Sequence, residues 1–267
     1  MPKLSLSQAW DEARAILAHD GRLFVAVGLA MFVLPGLILN VSMPATPSGE
    51  MPPAGPWLIV AVLAILVSLV GQLATIRLAI GPHVTVGAAI MHGLKRLAPY
   101  VMAVLIWVVP VLVIGSALYA ILKLTAEHPS VAIAIALIIL TFVGFYLGVR
   151  LMLASAVASA EGEGPFHILR RSWHLSVGNW WRLFAFLLLF ALGALCLLWA
   201  VESVFGVLAR LTFGDVAPLT LGGLLVAIVT QLVSAVVSVI FFVIIARIYV
   251  QRTGESDAQA SVPSSGI

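Results

Sequence analysis

The chain has 267 residues, 62% of them apolar and only 9% charged, with a formal net charge of +3 and a mean hydropathy of +1.16. Soluble domains carry roughly 25% charged residues, so this composition excludes an ordinary water-solvated fold. The single cysteine, Cys196, excludes an internal disulfide, and no Cys/His spacing matches a metal site.

Residues 4–19 open on Ser5-Leu6-Ser7-Gln8, which reads as a capping box. Leu6, Trp10, Ala13 and Leu17 then recur at helical spacing, with Asp11, Glu12 and His19 largely off that face, as in a helix lying in a membrane interface. The acidic residues and the length of this stretch argue against a signal peptide, so the first span is expected to be retained. Apolar runs follow at 22–41 and 57–80, each near the ~20 residues that cross a hydrocarbon core roughly 30 Å thick. The loop between them, 42–56, is proline-rich and carries no Lys or Arg. The second run bears Ser68, Gln72 and Thr75 along one stripe and Arg77 near its end.

Residues 85–97 repeat the amphipathic pattern, with Ile90, Met91, Leu94 and Leu97 apolar and His92, Lys95 and Arg96 polar. Runs at 98–122 and 129–158 follow, the second carrying Gly144-Phe145-Tyr146-Leu147-Gly148 and then Arg150. Residues 165–178 repeat the pattern again: Pro165 suits a first helical turn, Leu169, Trp173 and Val177 form the apolar face, and His167, Arg170, Arg171 and His174 the wet one. The last runs are 180–208, with Cys196 in apolar surroundings and Glu202 in its outer half, and 217–250, with Gln231, Ser234, Ser238 and Arg247. Residues 253–267, rich in Ser, Gly and Ala, read as a disordered tail.

Six spans in one domain (1–252) give an all-α polytopic membrane protein, because lipid leaves a spanning backbone no partner outside its own helix. Twelve Lys and Arg fall on the side of the termini, against Lys123 and Arg210 on the other, which places both termini in the cytoplasm and the chain in the inner membrane. Trp10, Trp173, Trp180 and Trp181 are expected at the interfaces, where indoles prefer to sit. Three divergent units, about 4–80, 84–158 and 165–250, each combine a cytoplasmic interfacial helix with a transmembrane hairpin.

Arg77, Arg150 and Arg247 occupy matching places in the three units. One reading is snorkelling to the headgroups; the other is a shared anion site, extended by Arg170 and Arg171, since converging guanidinium groups suit phosphate. The stripes with Gln72 and with Gln231, Ser234 and Ser238 read either as helix packing or as a polar path. Glu161, Glu163, His167 and His174 do not have the spacing of one metal site, and no hydrolase or nucleotide motif is present, so no enzymatic activity and no cofactor are expected. The basic residues come singly or in pairs between spans, which suits anionic lipid and not nucleic acid.

The stretch from Arg150 to Phe184 contains Arg-Leu-Met-Leu-Ala-Ser, Glu161-Gly-Glu-Gly-Pro165, Leu169-Arg-Arg-Ser-Trp173 and Gly178-Asn-Trp-Trp-Arg-Leu-Phe184. It resembles the prokaryotic glycerophosphoryl diester phosphodiesterase membrane-domain family and its six-span relatives, with "E-G-x-G-P", "A-L-x-x-S-W" and "G-x-x-W-R". Ile168 stands where that family usually has Ala. The resemblance implies a six-span membrane region that in some relatives is fused to a catalytic barrel. No such barrel is present in this sequence, so the phosphodiesterase activity is not expected to transfer. The resulting expectation is a non-enzymatic module that organises anionic lipid or phosphodiester headgroups. The alternatives are a small transporter or flippase, and a structural partner of a separate membrane or cytoplasmic protein.

Overall fold

Every apolar run becomes helix, the only open-chain geometry that satisfies its own backbone in lipid. The computed structural model describes residues 5–44, 52–81, 84–125, 129–214 and 219–260. Lys3, residues 45–51 of the proline-rich loop and 261–267 of the expected tail lie outside the described residues. In chain order the helices are α1 (Leu6–Gly28), a π-helical turn (Leu29–Val33), α2 (Leu34–Ser42), α3 (Trp57–Ile80), α4 (Val86–Thr125), α5 (Pro129–Arg150), α6 (Ala154–Ala160), α7 (Pro165–Ser176), α8 (Trp180–Phe213) and α9 (Leu221–Ala260). Six stretches are long and apolar enough to cross a bilayer: Leu6–Ser42, Trp57–Ile80, Val86–Leu124, Val131–Ala160, Trp180–Phe213 and Leu221–Gly254. The chain is an all-helical, multi-pass membrane protein.

The first stretch has 37 residues, about 55 Å of helix at ~1.5 Å per residue, nearly twice a hydrocarbon core. Of its charged residues only Arg22 lies beyond the break at Asp20 (φ −110°, ψ 18°), so the apolar part after the break is the spanning segment. Ser5 caps the start by accepting the Gln8 N–H (3.3 Å), but the Gln8 side chain reaches forward to Glu12 (2.8 Å) and does not close the expected box. Pro35 removes the N–H that an α-helix would give to the Met31 carbonyl. Ser68 of α3 donates its hydroxyl to that carbonyl instead (3.4 Å), beside the π turn. The second amphipathic stretch runs into its span within α4, which holds Pro99 and Pro110. The third is a separate helix, α7, parted from α8 by Gly178 at φ 80°, a left-handed conformation that favours glycine.

Neighbours in sequence pack against one another: α2 on α3, α3 on α4, α4 on α5, and α8 on α9. The bundle closes where α9 meets α1 and α3. The core lies at one end, built from Leu73, Ala74 and Ile76 of α3, Ala156 and Val157 of α6, and Val243, Ile244 and Ile248 of α9. The short helix α6 plugs this end. Its Ser159 donates to the Leu73 carbonyl (3.1 Å), and the Ser159 carbonyl meets a ring nitrogen of His92 (2.7 Å).

The amphipathic stretches turn their small residues to the bundle. Ala9 and Ala13 of α1 are buried, as are Ala89 and Gly93 of α4. At Gly93 a Cβ would lie 2.7 Å from the Val70 carbonyl oxygen, so only glycine admits this approach of α3 and α4. The large apolar residues Trp10, Met91 and Leu94 are exposed.

On α7 the buried face is Ile168, Ser172 and Leu175, while Trp173 and Val177 are exposed and Leu169 is half-buried; Ser172 turns inward because its hydroxyl donates to the Arg150 carbonyl (3.1 Å). Cys196 sits on the exposed face of α8, since α8 packs along its other side on α9. Residues 253–260, expected in a disordered tail, are the end of α9 instead.

Candidate functional site

The two polar stripes face each other. Ser68 and Gln72 of α3 and Gln231, Ser234 and Ser238 of α9 line one cleft of about 360 Å³, closed on its third side by Gly36 and Leu39 of α2. Gly36 is there for space: a Cβ would overlap the Gln231 amide. Phe32 and Phe242, stacked at 5.8 Å between ring centres, form part of the apolar wall with Ile65 and Leu69. Among the described residues no ionisable side chain lines the cleft. Ser68 is committed to Met31, and Gln72 is hydrogen-bonded to the buried phenol of Tyr100, which also meets Ser155 of α6. Among the described residues Gln231, Ser234 and Ser238 have no hydrogen-bond partner. Thr75, the last member of the α3 stripe, is fully buried and bonded back to the Gly71 carbonyl (2.8 Å).

The arginines have different partners. Arg247 is closed by Glu12 of α1: Nε and Nη2 both reach one carboxylate oxygen at 2.6 Å, and Gln8 donates to the other at 2.8 Å. Glu12 precedes the Asp20 break, outside the spanning segment. Burial raises its proton affinity, but the hydrogen bonds from Arg247 and Gln8 and the Arg247 charge outweigh it and hold the carboxyl below the usual glutamate range. Arg171 donates Nε to Glu161 (3.1 Å), which also accepts the Tyr249 hydroxyl (2.8 Å), tying α7 to α9. His167 lies between Glu161 (3.6 Å from Nδ1) and Glu163 (3.2 Å from Nε2), and the Arg96 guanidinium lies against Gly162. Arg171, Glu161 and Tyr249 are thus paired with one another, while His167 Nδ1 is buried without a hydrogen-bond partner among the described residues.

Arg77 is half-buried beside Gly81 at the end of α3, where a cation suits the negative end of the helix dipole. Arg170 is exposed on α7. Arg150 lies among aromatic rings, with Nε and Nη2 donating to the Tyr146 hydroxyl (3.1 and 3.0 Å) and the guanidinium 4.8 Å from the Trp173 ring centre. Trp10 and Trp181 are exposed, as interfacial anchors require, at 50% and 73%. Trp180 differs: it is stacked on Phe184 at 5.1 Å and is a packing residue.

Residues 4–252 match the family described as Domain of unknown function (DUF7847). The chain belongs to the DUF7847 family. No curated protein and no solved structure matches it. The DUF7847 match covers every residue of the cleft and every arginine named above, and its description names no activity.

In this DUF7847 chain the sequence reading missed Gly36, Tyr100, Ser155 and His92. Gly36 had a signal in the Pro35-Gly36 pair, which marks a place where a helix changes course and a neighbour comes close. Tyr100 and His92 carried none: their polar ends matter only because α6 folds back between α3 and α4.

Proposed function

We propose that the protein binds a membrane-resident amphiphile in the cleft between α2, α3 and α9 and handles it as a small transporter or flippase. The observation that carries this reading is the facing pair of polar stripes, with Gln231, Ser234 and Ser238 unpartnered among the described residues. Unpaired polar groups inside a bilayer are costly, and an uncharged headgroup with donors and acceptors supplies what these side chains need. The uncharged lining argues for hydroxyl, ester or amide groups over phosphate at this site, and the apolar walls suit a chain. The twelve-to-two distribution of Lys and Arg supports an inner-membrane orientation with both termini in the cytoplasm. In that frame the exposed Trp10, Met91, Leu94 and Trp173 belong to three interfacial segments that face lipid with their large residues and the bundle with their small ones. The arginine-triad reading is weaker, because Arg247 already has its counter-ion in Glu12.

The test is native mass spectrometry of the detergent-purified protein with a neutral diacylglycerol, comparing wild type with Gln231→Leu and a Ser234→Ala/Ser238→Ala pair. Retention should fall about tenfold in either, the loss expected for roughly one buried hydrogen bond. Unchanged retention in both variants would remove the cleft from consideration as the site.

A further inference from the structure

We infer that Arg150 and Trp180 form a second site, for a phosphate oxygen, on elements that take no part in the cleft. Two buried donors there lack an acceptor within the protein: Arg150 Nη1 and the indole Nε1 of Trp180. They come from different elements, the end of α5 and the start of α8, and meet around one residue. Tyr146 lies 5.5 Å from the Trp180 ring and 5.4 Å from the Arg150 guanidinium, centre to centre. Buried donors are almost always satisfied in folded proteins, so two orphans around one phenol define an acceptor-binding geometry.

The charge points the same way. Among the described residues no carboxylate lies within 4.0 Å of the Arg150 guanidinium, in contrast to Arg171 and Arg247. The Arg150 backbone carbonyl is occupied by Ser172, and the Tyr146 oxygen by two guanidinium N–H groups, which leaves the phenolic O–H to donate. The local set therefore comprises Arg150 Nη1, Trp180 Nε1 and the Tyr146 O–H, all donors. Any oxygen acceptor can satisfy such a set, but beside a guanidinium with no carboxylate an anionic oxygen is favoured, and phosphate matches a guanidinium edge best. Trp173 lies over the guanidinium and is itself partly exposed. Trp181, on the neighbouring surface, is exposed as a side chain set against lipid is. A phosphodiester lipid headgroup and free phosphate share this chemistry.

The experiment uses the full chain in detergent with three probes: phosphatidylglycerol, a diacylglycerol with no phosphate, and inorganic phosphate. Binding is read by native mass spectrometry and by the shift in melting temperature. Trp180→Phe keeps an aromatic ring against Phe184 and removes the N–H together with part of the indole; Arg150→Lys keeps the charge and loses the fork. Both should weaken phosphatidylglycerol binding, by about tenfold for Trp180→Phe, while diacylglycerol binding stays unchanged. Competition by inorganic phosphate, lost in the same variants, supports a site that phosphate alone fills. Variant-sensitive lipid binding without such competition supports one that needs the lipid. Equal phosphatidylglycerol affinity in wild type and both variants overturns the proposal. Gln231→Leu should lower diacylglycerol binding but leave the competition by inorganic phosphate as it is in wild type, so this site and the cleft stand or fall separately.

Discussion

Replacing Glu12 by Gln tests how the first amphipathic helix is held. Arg247 Nε and Nη2 both sit 2.6 Å from one Glu12 oxygen, with the two side chains 21% and 27% exposed. At an effective dielectric near 20, charges this close attract by about 6 kcal/mol before desolvation, and burying the two ions takes back most of it. Charge-assisted hydrogen bonds are roughly twice as strong as neutral ones, so Glu12→Gln should weaken docking of the helix by about 1.5 kcal/mol, roughly tenfold. The assay is hydrogen–deuterium exchange of residues 6–19 in the detergent-solubilised protein, with residues 60–79 of α3 as the internal reference. Exchange should rise about tenfold in the first segment and stay level in the second. The pH dependence has a definite sign. Glu12 is held below the usual glutamate value of 4.5, so its contribution is complete above that pH and disappears as pH falls through the lowered folded-state value. Wild type should therefore approach the Gln variant only below about pH 4.5, and the variant should show no such step. Equal exchange of residues 6–19 in the two proteins at neutral pH would mean that Ala9 and Ala13 packing alone docks the helix and the ion pair is incidental.

Two further substitutions probe the supports of the cleft. Gly93→Ala places a methyl group 2.7 Å from the Val70 carbonyl and should destabilise the α3–α4 pair by about 1–3 kcal/mol, read as a lower midpoint of thermal unfolding in detergent. A midpoint equal to wild type would show that α4 can move off α3 at no cost. Tyr100→Phe deletes the hydroxyl shared by Gln72 and Ser155 and should cost about 1–3 kcal/mol by leaving buried polar partners unsatisfied. The same variant frees the Gln72 amide at the cleft wall. Diacylglycerol retention should therefore change along with stability, whereas a stability loss with unchanged retention would separate Gln72 from the ligand.

Length and hydropathy made the six helices legible, because a bilayer offers a spanning backbone no other way to pair its N–H and C=O groups. The polar stripes on α3 and α9 were legible too, since helical spacing places i, i+4 and i+7 on one face. Their meeting in one cleft was not. It depends on α9, about 160 residues downstream of α3 in sequence, returning to close the bundle. It depends also on Gly36 leaving room for the Gln231 amide.

Periodicity gathered the large apolar residues on one face but did not say which residues the bundle would bury. A large apolar residue satisfies lipid as well as it satisfies a protein core, so Trp10, Met91 and Trp173 could lie on either side. Close helix contact instead selects Ala9, Ala13, Ala89 and Gly93, whose small side chains let backbones approach. The three arginines show the same division. Their matching places near helix ends are written in the sequence. Their fates were decided by what tertiary packing set beside each guanidinium: a carboxylate from α1 for Arg247, aromatic rings from α5 and α7 for Arg150, and the end of its own helix for Arg77.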